Sequence, residues 1–236
     1  KYMGEDITIS TADGPYSAYL TRPPTGKGPG LLVLPEIYNS NDHIRGIADR
    51  FAEEGYVTLA PDVFWRIQPN CYFPYTDAGQ AEARSFNQQL NVDQLVMDLG
   101  HAIHFLRSSP FSSGLVGSVG FCLGGKLSYL CAARLQVEVA VSYYGVKIEN
   151  YLEESDNIKC PMTLHFAGND PRVPPLARAK IEDTFVGRND VNVYLYPNAE
   201  HGFNRVGYPP YHEVSAKLAL ERTLNLFQTN LCLQSK

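Results

Sequence analysis

The chain has 236 residues, 44% of them apolar and 19% charged, which is enough to bury a substantial core as one large α/β domain or two small ones. A net charge of −5, a pI of about 5.7 and the lack of any basic block argue against nucleic acid as a partner. No apolar run approaches the roughly 20 residues that cross a bilayer, so no membrane partner is expected either.

The domain organisation and the cellular compartment are inferred from features that the sequence lacks. No repeat or long linker is visible, so a single domain over residues 1–236 is the simplest prediction. The cysteines are scattered, odd in number and without a CxxC pair, which favours reduced thiols in the cytoplasm over a disulfide framework. The chain begins at Lys1 with no initiator Met, which is compatible with removal of a targeting segment.

Strand-like runs follow one another along the chain. EDITIS (residues 5–10) and YSAYLTRP (16–23) alternate in polarity and are joined through ADG, which predicts an antiparallel hairpin at one sheet edge. Six later runs are short, apolar and β-branched, which is typical of buried strands in a mostly parallel sheet. They cover residues 30–36, 56–61, 115–121, 137–144, 161–168 and 191–197.

Helical periodicity fills the intervals between the strands. Apolar residues recur at helix spacing over residues 44–51 and 92–106, and further helices are predicted over 122–133, 175–185 and 211–227. The aromatic and proline-rich stretch 63–77 is interpreted either as a lid over a pocket or as a surface plug. Strands alternating with helices predict a doubly wound α/β fold, whose sites lie at the carboxyl ends of the strands.

A glycine-flanked cysteine marks one such strand end. Gly120-Phe121-Cys122-Leu123-Gly124 has the G-x-C-x-G pattern of a nucleophile elbow, in which glycines relieve the crowding of a sharp strand-to-helix turn. The helix N-terminus would stabilise a thiolate. The pentapeptide alone is equally compatible with a tight βα turn that holds a small buried cysteine.

The residues downstream favour the catalytic interpretation. Asp170 follows the run 161–168, and His201 follows the run 191–197. Each could be an ordinary loop residue. However, a nucleophile, an acid and a histidine that follow strand ends in this order form the triad of elbow hydrolases.

At this point the chain resembles a known family. The segments LPEIYN, GFCLGG, YYGV, GNDPRVP and AEHGFNR are similar to those of dienelactone hydrolases (carboxymethylenebutenolidases) of the α/β-hydrolase fold. The resemblance runs from Glu5 to about Phe227. Because most α/β-hydrolases use serine, a cysteine elbow combined with this glutamate is fairly specific.

The resemblance implies a role for each residue of the centre. Cys122 would attack the lactone carbonyl, His201 would return the proton, and Asp170 would orient the imidazole. The oxyanion would be held by the backbone N–H groups of Leu123 and Ile37. Glu36 either caps a loop or, as the resemblance implies, pairs with the resting thiol and takes up its proton.

Three further residues are candidates for substrate binding. Arg205, four residues after His201, suits a substrate carboxylate. The family's second arginine aligns near Gln80, one helical turn from Arg84, so either Arg84 still binds substrate or the preference has changed. Tyr143, at a strand end, is predicted to line the site.

The sequence therefore predicts a hydrolase, free of metal and cofactor, that opens a carboxylate-bearing unsaturated lactone. The resemblance also implies a role in the degradation of aromatic compounds, and a monomer is expected. A carboxylesterase or thioesterase with the same triad stays open, and a non-catalytic binding protein is the weaker alternative. His101 and His104 have metal-ligand spacing but no third ligand, so an exposed helix face is predicted for them. His165 is predicted to be a packed core residue.

Overall fold

The computed structural model of the chain describes residues 3–232. Its strands are β1 (Glu5–Thr11), β2 (Gly14–Thr21), β3 (Gly28–Leu34), β4 (Val57–Pro61), β5 (Ser112–Phe121), β6 (Val139–Tyr143), β7 (Met162–Asn169) and β8 (Val191–Glu200). Its helices are α1 (Asp42–Glu53), α2 (Asp77–Gln88), α3 (Val92–Ser108), α4 (Leu123–Arg134), α5 (Pro175–Phe185) and α6 (Glu213–Leu231), with a 3₁₀-helical segment over Ile148–Asn157.

These strands form one sheet in the order β1-β2-β4-β3-β5-β6-β7-β8. The β1–β2 and β2–β4 pairs are antiparallel, whereas β3–β4, β6–β7 and β7–β8 are parallel. The mostly parallel sheet and the antiparallel hairpin at its edge are both confirmed. Among residues 3–232, every helix is too short or too polar to traverse a bilayer.

The chain divides into two compact units, with the boundary between Ser118 and Val119. The single-domain organisation expected from the sequence stays a prediction. In the N-terminal unit, β3 is buried from Leu31 to Leu34 and α1 begins after Asn41, whose side chain accepts a hydrogen bond from the Ile44 N–H. Such a cap satisfies one of the N–H groups that a helix leaves without an internal acceptor.

The helix α2 is absent from the sequence prediction, which left this part of the chain as an excursion. Thr76 caps it, and only Gly79 and Ala83 are buried, so it carries no apolar stripe. In the preceding stretch, residues 63–70 form turns and residues 71–76 are irregular, and Phe64 and Phe73 pack against Phe86 of α2 at ring distances of 5.7 and 5.0 Å. Whether this stretch covers a pocket stays a prediction.

In the C-terminal unit, α4 is buried from Leu123 to Ala133, as expected of a central helix. The predicted bounds of α5 are confirmed, and α6 begins two residues later than predicted and continues to Leu231. An irregularity between Ala167 and Asn169 in the β7–β8 pairing sets Asn169 opposite Glu200. The two residues that follow, Asp170 and His201, therefore emerge side by side at the carboxyl end of these strands.

Candidate active site

Cys122 lies at the turn between β5 and α4, where its backbone adopts φ 59° and ψ −115°. Such a conformation costs a non-glycine residue of order 1–3 kcal/mol, so surrounding contacts must hold it. The Cys122 N–H donates to the Tyr143 carbonyl oxygen at 3.0 Å, and the Cys122 carbonyl oxygen accepts from the Val146 N–H at 3.3 Å. The segment after β6 thus fixes the nucleophile candidate on both sides of its peptide unit.

Glycines make this turn sterically feasible. A Cβ on Gly120 would overlap the carbonyl oxygen of Gly124, and a Cβ on Gly125 would lie 2.6 Å from the Cα of Gly145. Both obstacles are backbone atoms, which cannot rotate away as a side chain can. The crowding that the sequence predicts around an elbow cysteine is therefore present here.

Asp170 and His201, the predicted acid and base, are joined by a hydrogen bond. The His201 Nδ1–H donates to Asp170 Oδ2 at 2.8 Å. The other carboxylate oxygen accepts from the backbone N–H groups of Arg172 at 2.8 Å and Val173 at 3.3 Å. Since the Asp170 side chain is fully buried, these donors leave its carboxylate one orientation, and that orientation fixes the imidazole.

The charge on His201 is set by opposing effects. Burial lowers its pKa, but attraction to the Cys122 sulfur, a hydrogen bond to Asp170 and a hydrogen bond with Cys122 together raise the pKa from 6.5 to about 10. The imidazole thus contacts both the thiol and the carboxylate. This arrangement can hold an imidazolium beside a sulfur anion and move a proton to a leaving group.

The sequence analysis missed a second cation near the sulfur. Lys126 lies one helical turn after Cys122 and is buried, and burial lowers its pKa while the Cys122 sulfur opposes that change. The sequence could have pointed to this residue, because a lysine in the first buried turn of a central helix is unusual.

The Leu123 N–H, predicted as an oxyanion donor, belongs to the first residue of α4. The N–H groups in the first turn of a helix have no acceptor inside the helix, so they can bind an anionic oxygen. Its role as a donor to substrate stays a proposal.

Arg205 lies on the loop that follows His201. Its backbone N–H donates to the Gly202 carbonyl oxygen at 3.0 Å, and its guanidinium folds back so that a Cβ on Gly202 would lie 2.9 Å from Arg205 Cζ. The side chain is half-buried. The guanidinium is therefore beside Gly202, and its predicted contact with a substrate carboxylate stays a proposal.

Tyr143 is the last residue of β6. Its side chain is buried, and its hydroxyl is 2.9 Å from Thr223 Oγ1 in α6. Its predicted contact with substrate stays a proposal. Its neighbour Tyr144, which the sequence analysis did not single out, lies just after the strand and packs its ring 5.0 Å from the His201 ring.

Glu36 and Ile37 follow β3 in the N-terminal unit. The Glu36 side chain is buried, and the Tyr75 hydroxyl donates to Glu36 Oε1 at 2.5 Å. The sequence analysis did not single out Tyr75. The loop is tied down nearby, since Asn39 Nδ2 donates to Asp62 Oδ1 at 2.7 Å. The roles predicted for Glu36 and Ile37 toward the thiol and the oxyanion stay proposals.

Arg84 is exposed on α2, and Gln80, one turn earlier, is half-buried. Its predicted substrate contact stays a proposal. His101 and His104 are exposed on α3, as predicted. His165 is fully buried in β7, which confirms the prediction of a packed core residue.

The sheet order, the cysteine on a strained strand–helix turn and the Asp–His pair after later strands define the class of the α/β-hydrolases. Residues 16–231 match the dienelactone hydrolase family, so the chain belongs to that family. Members are hydrolases that act on lactone or ester bonds, and this chain is accordingly such an enzyme.

Known proteins agree with this assignment over the whole chain. The carboxymethylenebutenolidase of Pseudomonas putida is 34% identical over 236 residues, which cover 99% of each chain. The solved dienelactone hydrolase of Anabaena variabilis has a TM-score of 0.72 at 18% identity, covering 98% of this chain and 100% of that one. A dienelactone hydrolase-like promiscuous phosphotriesterase from metagenomic libraries has a TM-score of 0.81 at 19% identity, covering 97% and 98%. At these identities the two structures show the fold alone.

The first prediction concerns the elbow. Gly120→Ala should lower the free energy of unfolding by more than about 3 kcal/mol or prevent folding, because the added methyl meets the Gly124 backbone. Gly46→Ala is the control: it lies in α1 with open space around it and should stabilise the helix by about 0.5–1 kcal/mol. Urea unfolding measures both. A Gly120→Ala protein as stable as wild type would show that the turn is not sterically constrained.

The second prediction concerns the charge on His201. Because its pKa in the folded protein, about 10, exceeds 6.5, its contribution to stability is complete below pH 6.5 and is lost as pH rises through 10. Cys122→Ala removes the attracting sulfur, so the His201 pKa should fall clearly, whereas Cys131→Ala should leave it unchanged. Imidazole NMR titration measures this. An identical His201 titration in Cys122→Ala would contradict the proposed coupling.

Proposed function

We propose that this chain is a cysteine-dependent hydrolase that opens a carboxylate-bearing unsaturated lactone, of the dienelactone-to-maleylacetate type. The observation that carries this proposal is the His201 imidazole, hydrogen-bonded to Asp170 on one side and to the Cys122 sulfur on the other. The carboxymethylenebutenolidase relatives support the lactone as substrate class.

The first half of the reaction would form a covalent intermediate. The Cys122 thiolate attacks the lactone carbonyl, and the negative charge that develops on the carbonyl oxygen is stabilised by the Leu123 N–H and, by resemblance, the Ile37 N–H. Collapse of this intermediate breaks the ring C–O bond and releases an enolate, which takes a proton from the His201 imidazolium. The product of this half is a thioester on Cys122.

The second half would regenerate the thiol. Neutral His201 accepts a proton from a water molecule, which attacks the thioester carbonyl. The new tetrahedral intermediate collapses, the C–S bond breaks, and the carboxylic acid leaves. Cys122 remains as a thiolate, while the proton from water stays on His201. The thiolate becomes the resting thiol again when Glu36 returns the proton it had taken up. Asp170 stabilises the imidazolium in both halves and remains ionised throughout. Glu36 is proposed, from the resemblance, as the group that takes the proton of the resting thiol.

Arg205 is the proposed ligand of the substrate carboxylate. Its guanidinium lies beside Gly202, the residue that follows the catalytic base, and a guanidinium fork matches a carboxylate. The remaining proposals rest on the resemblance and on composition: a cytoplasmic monomer that acts in the degradation of aromatic compounds, without cofactor or metal.

An esterase or thioesterase acting on another substrate is the second candidate. One specific observation favours it. The position of the family's second arginine falls near Gln80 in this chain, and Arg84, one turn later on α2, is exposed. A substrate with one carboxylate contact instead of two would then fit better.

The nucleophile is tested by substitution. Cys122→Ala should reduce kcat by several orders of magnitude on every substrate, since the covalent route is lost. Cys131→Ala, which removes a buried thiol from the same helix, should keep wild-type kcat when folded. The measurement is initial rates on dienelactone isomers and aryl esters. Wild-type turnover by Cys122→Ala would refute the cysteine mechanism.

The substrate class is tested at Arg205. Arg205→Ala should lower kcat/KM for an acidic lactone by roughly 10- to 100-fold, which corresponds to about 1.5–3 kcal/mol for a charge-assisted contact. A neutral aryl ester lacks the partner group and should lose little.

The matched control is Arg172→Ala, because Arg172 is an exposed arginine on the loop after β7. This substitution should leave kcat/KM unchanged for both substrates. Equal losses on the acidic and the neutral substrate in Arg205→Ala would mean that Arg205 supports its loop. The general esterase would then be the better assignment.

A further inference from the structure

A chain of buried hydrogen bonds lies behind the active site, and the mechanism above does not use it. His165, fully buried in β7, places Nδ1 2.9 Å from the Tyr196 hydroxyl of β8 and Nε2 3.0 Å from Thr223 Oγ1 of α6. The Thr223 hydroxyl is also 2.9 Å from the Tyr143 hydroxyl of β6. Three elements of the sheet and one helix are therefore linked through a single imidazole.

The outer end of this chain of hydrogen bonds is a guanidinium. Arg222 Nη1 donates to the Tyr196 hydroxyl oxygen at 3.2 Å, because a guanidinium has only donors. Burial lowers the His165 pKa to about 3, so the ring is neutral. A neutral imidazole carries one hydrogen, so one ring nitrogen donates and the other accepts.

This chain of hydrogen bonds ends on the segment that holds both catalytic groups. Tyr144 has a positive φ of 37°, and its N–H donates to the His165 carbonyl oxygen at 2.7 Å. Its neighbour Tyr143 accepts the Cys122 N–H on its carbonyl oxygen, and its ring packs 4.6 Å from the His165 ring. The Tyr144 ring lies 5.0 Å from the ring of His201.

The loop that carries His201 meets the same cluster. Phe203 packs against Tyr144 and Tyr196 at ring distances of 5.2 Å in each case. Phe203 therefore contacts both the segment that holds the nucleophile and the Tyr196 ring, whose hydroxyl is hydrogen-bonded to His165.

We propose that His165, through Thr223 and Tyr196, is a positioning residue that sets the separation of Cys122 and His201 by fixing the Tyr143–Tyr144 segment. The proposal rests on the proposed function, in that Cys122 and His201 are taken as nucleophile and base. A displacement of about 1 Å between such groups can reduce turnover roughly 100-fold, so even a small relaxation of this segment is measurable.

Thr223→Val is the sharpest test, since it keeps the side-chain shape and removes the shared hydroxyl. We expect kcat on a neutral aryl ester to fall about 10- to 100-fold with KM within about twofold, because substrate contacts remain. The alkylation rate of Cys122 by iodoacetamide should fall as well, and the NMR titration of His201 should shift. Thr223→Ser, which restores the hydroxyl, should recover most of the loss.

Thr229→Val provides the matched control. Thr229 is exposed on the same helix, and its hydroxyl donates to the Asn225 carbonyl oxygen at 3.0 Å, so its loss should leave kcat, alkylation and the His201 titration unchanged. Should Thr223→Val not fold, Tyr196→Phe removes the hydrogen bond at the other ring nitrogen and should change the same readouts in the same direction.

Two outcomes would overturn the proposal. One is a folded Thr223→Val or Tyr196→Phe protein with wild-type kcat and an unchanged His201 titration. The other is a Thr223→Ser protein that behaves as Thr223→Val does. Alkylation and the imidazole titration need no substrate, so their result separates failure of this proposal from failure of the lactone assignment.

Discussion

The active site depends on one backbone constraint, the strained turn at Cys122. With φ at 59°, the cysteine cannot continue β5 and instead begins α4, which directs its N–H to Tyr143 and its carbonyl to Val146. Glycines at 120 and 125 are required because the backbone approaches too closely for any Cβ. The strain, of order 1–3 kcal/mol, is offset by backbone hydrogen bonds and by burial of α4.

Electrostatic interactions beside this turn determine the charge on His201. A histidine as buried as His201 would ordinarily be neutral, yet the nearby sulfur and carboxylate outweigh the cost of burial. Its pKa rises from 6.5 to about 10, in favour of the charged ring. His165, which is buried without an anionic partner, shows the opposite result, and its pKa falls to about 3. The two histidines differ in their neighbours, and this difference accounts for the opposite directions of their pKa shifts.

The sequence predicted the parts of this fold that carry strong periodicity. The buried strands were visible because burial on both faces leaves continuous apolar runs. The long apolar stripe of α3 and the order of Cys122, Asp170 and His201 were visible as well. The helix α2 was not, since only Gly79 and Ala83 are buried in it and composition alone does not separate such a helix from a loop. The packing of the Tyr144 ring against the His201 ring was not predicted either, because it joins residues that are far apart in sequence. The Tyr75 contact with Glu36 joins residues that are far apart in sequence, so no local pattern could indicate it.

The covalent thioester is the central claim of this account, and mass spectrometry of a quenched reaction tests it most directly. A slowly hydrolysed aryl ester is mixed with the enzyme, the reaction is stopped in acid, and the intact protein and its peptides are weighed. The account predicts one acyl group per chain, located on the peptide that contains Cys122 and absent after treatment with hydroxylamine. An acyl group on another residue, or turnover with no acylated protein at any time during the pre-steady-state phase, would contradict it.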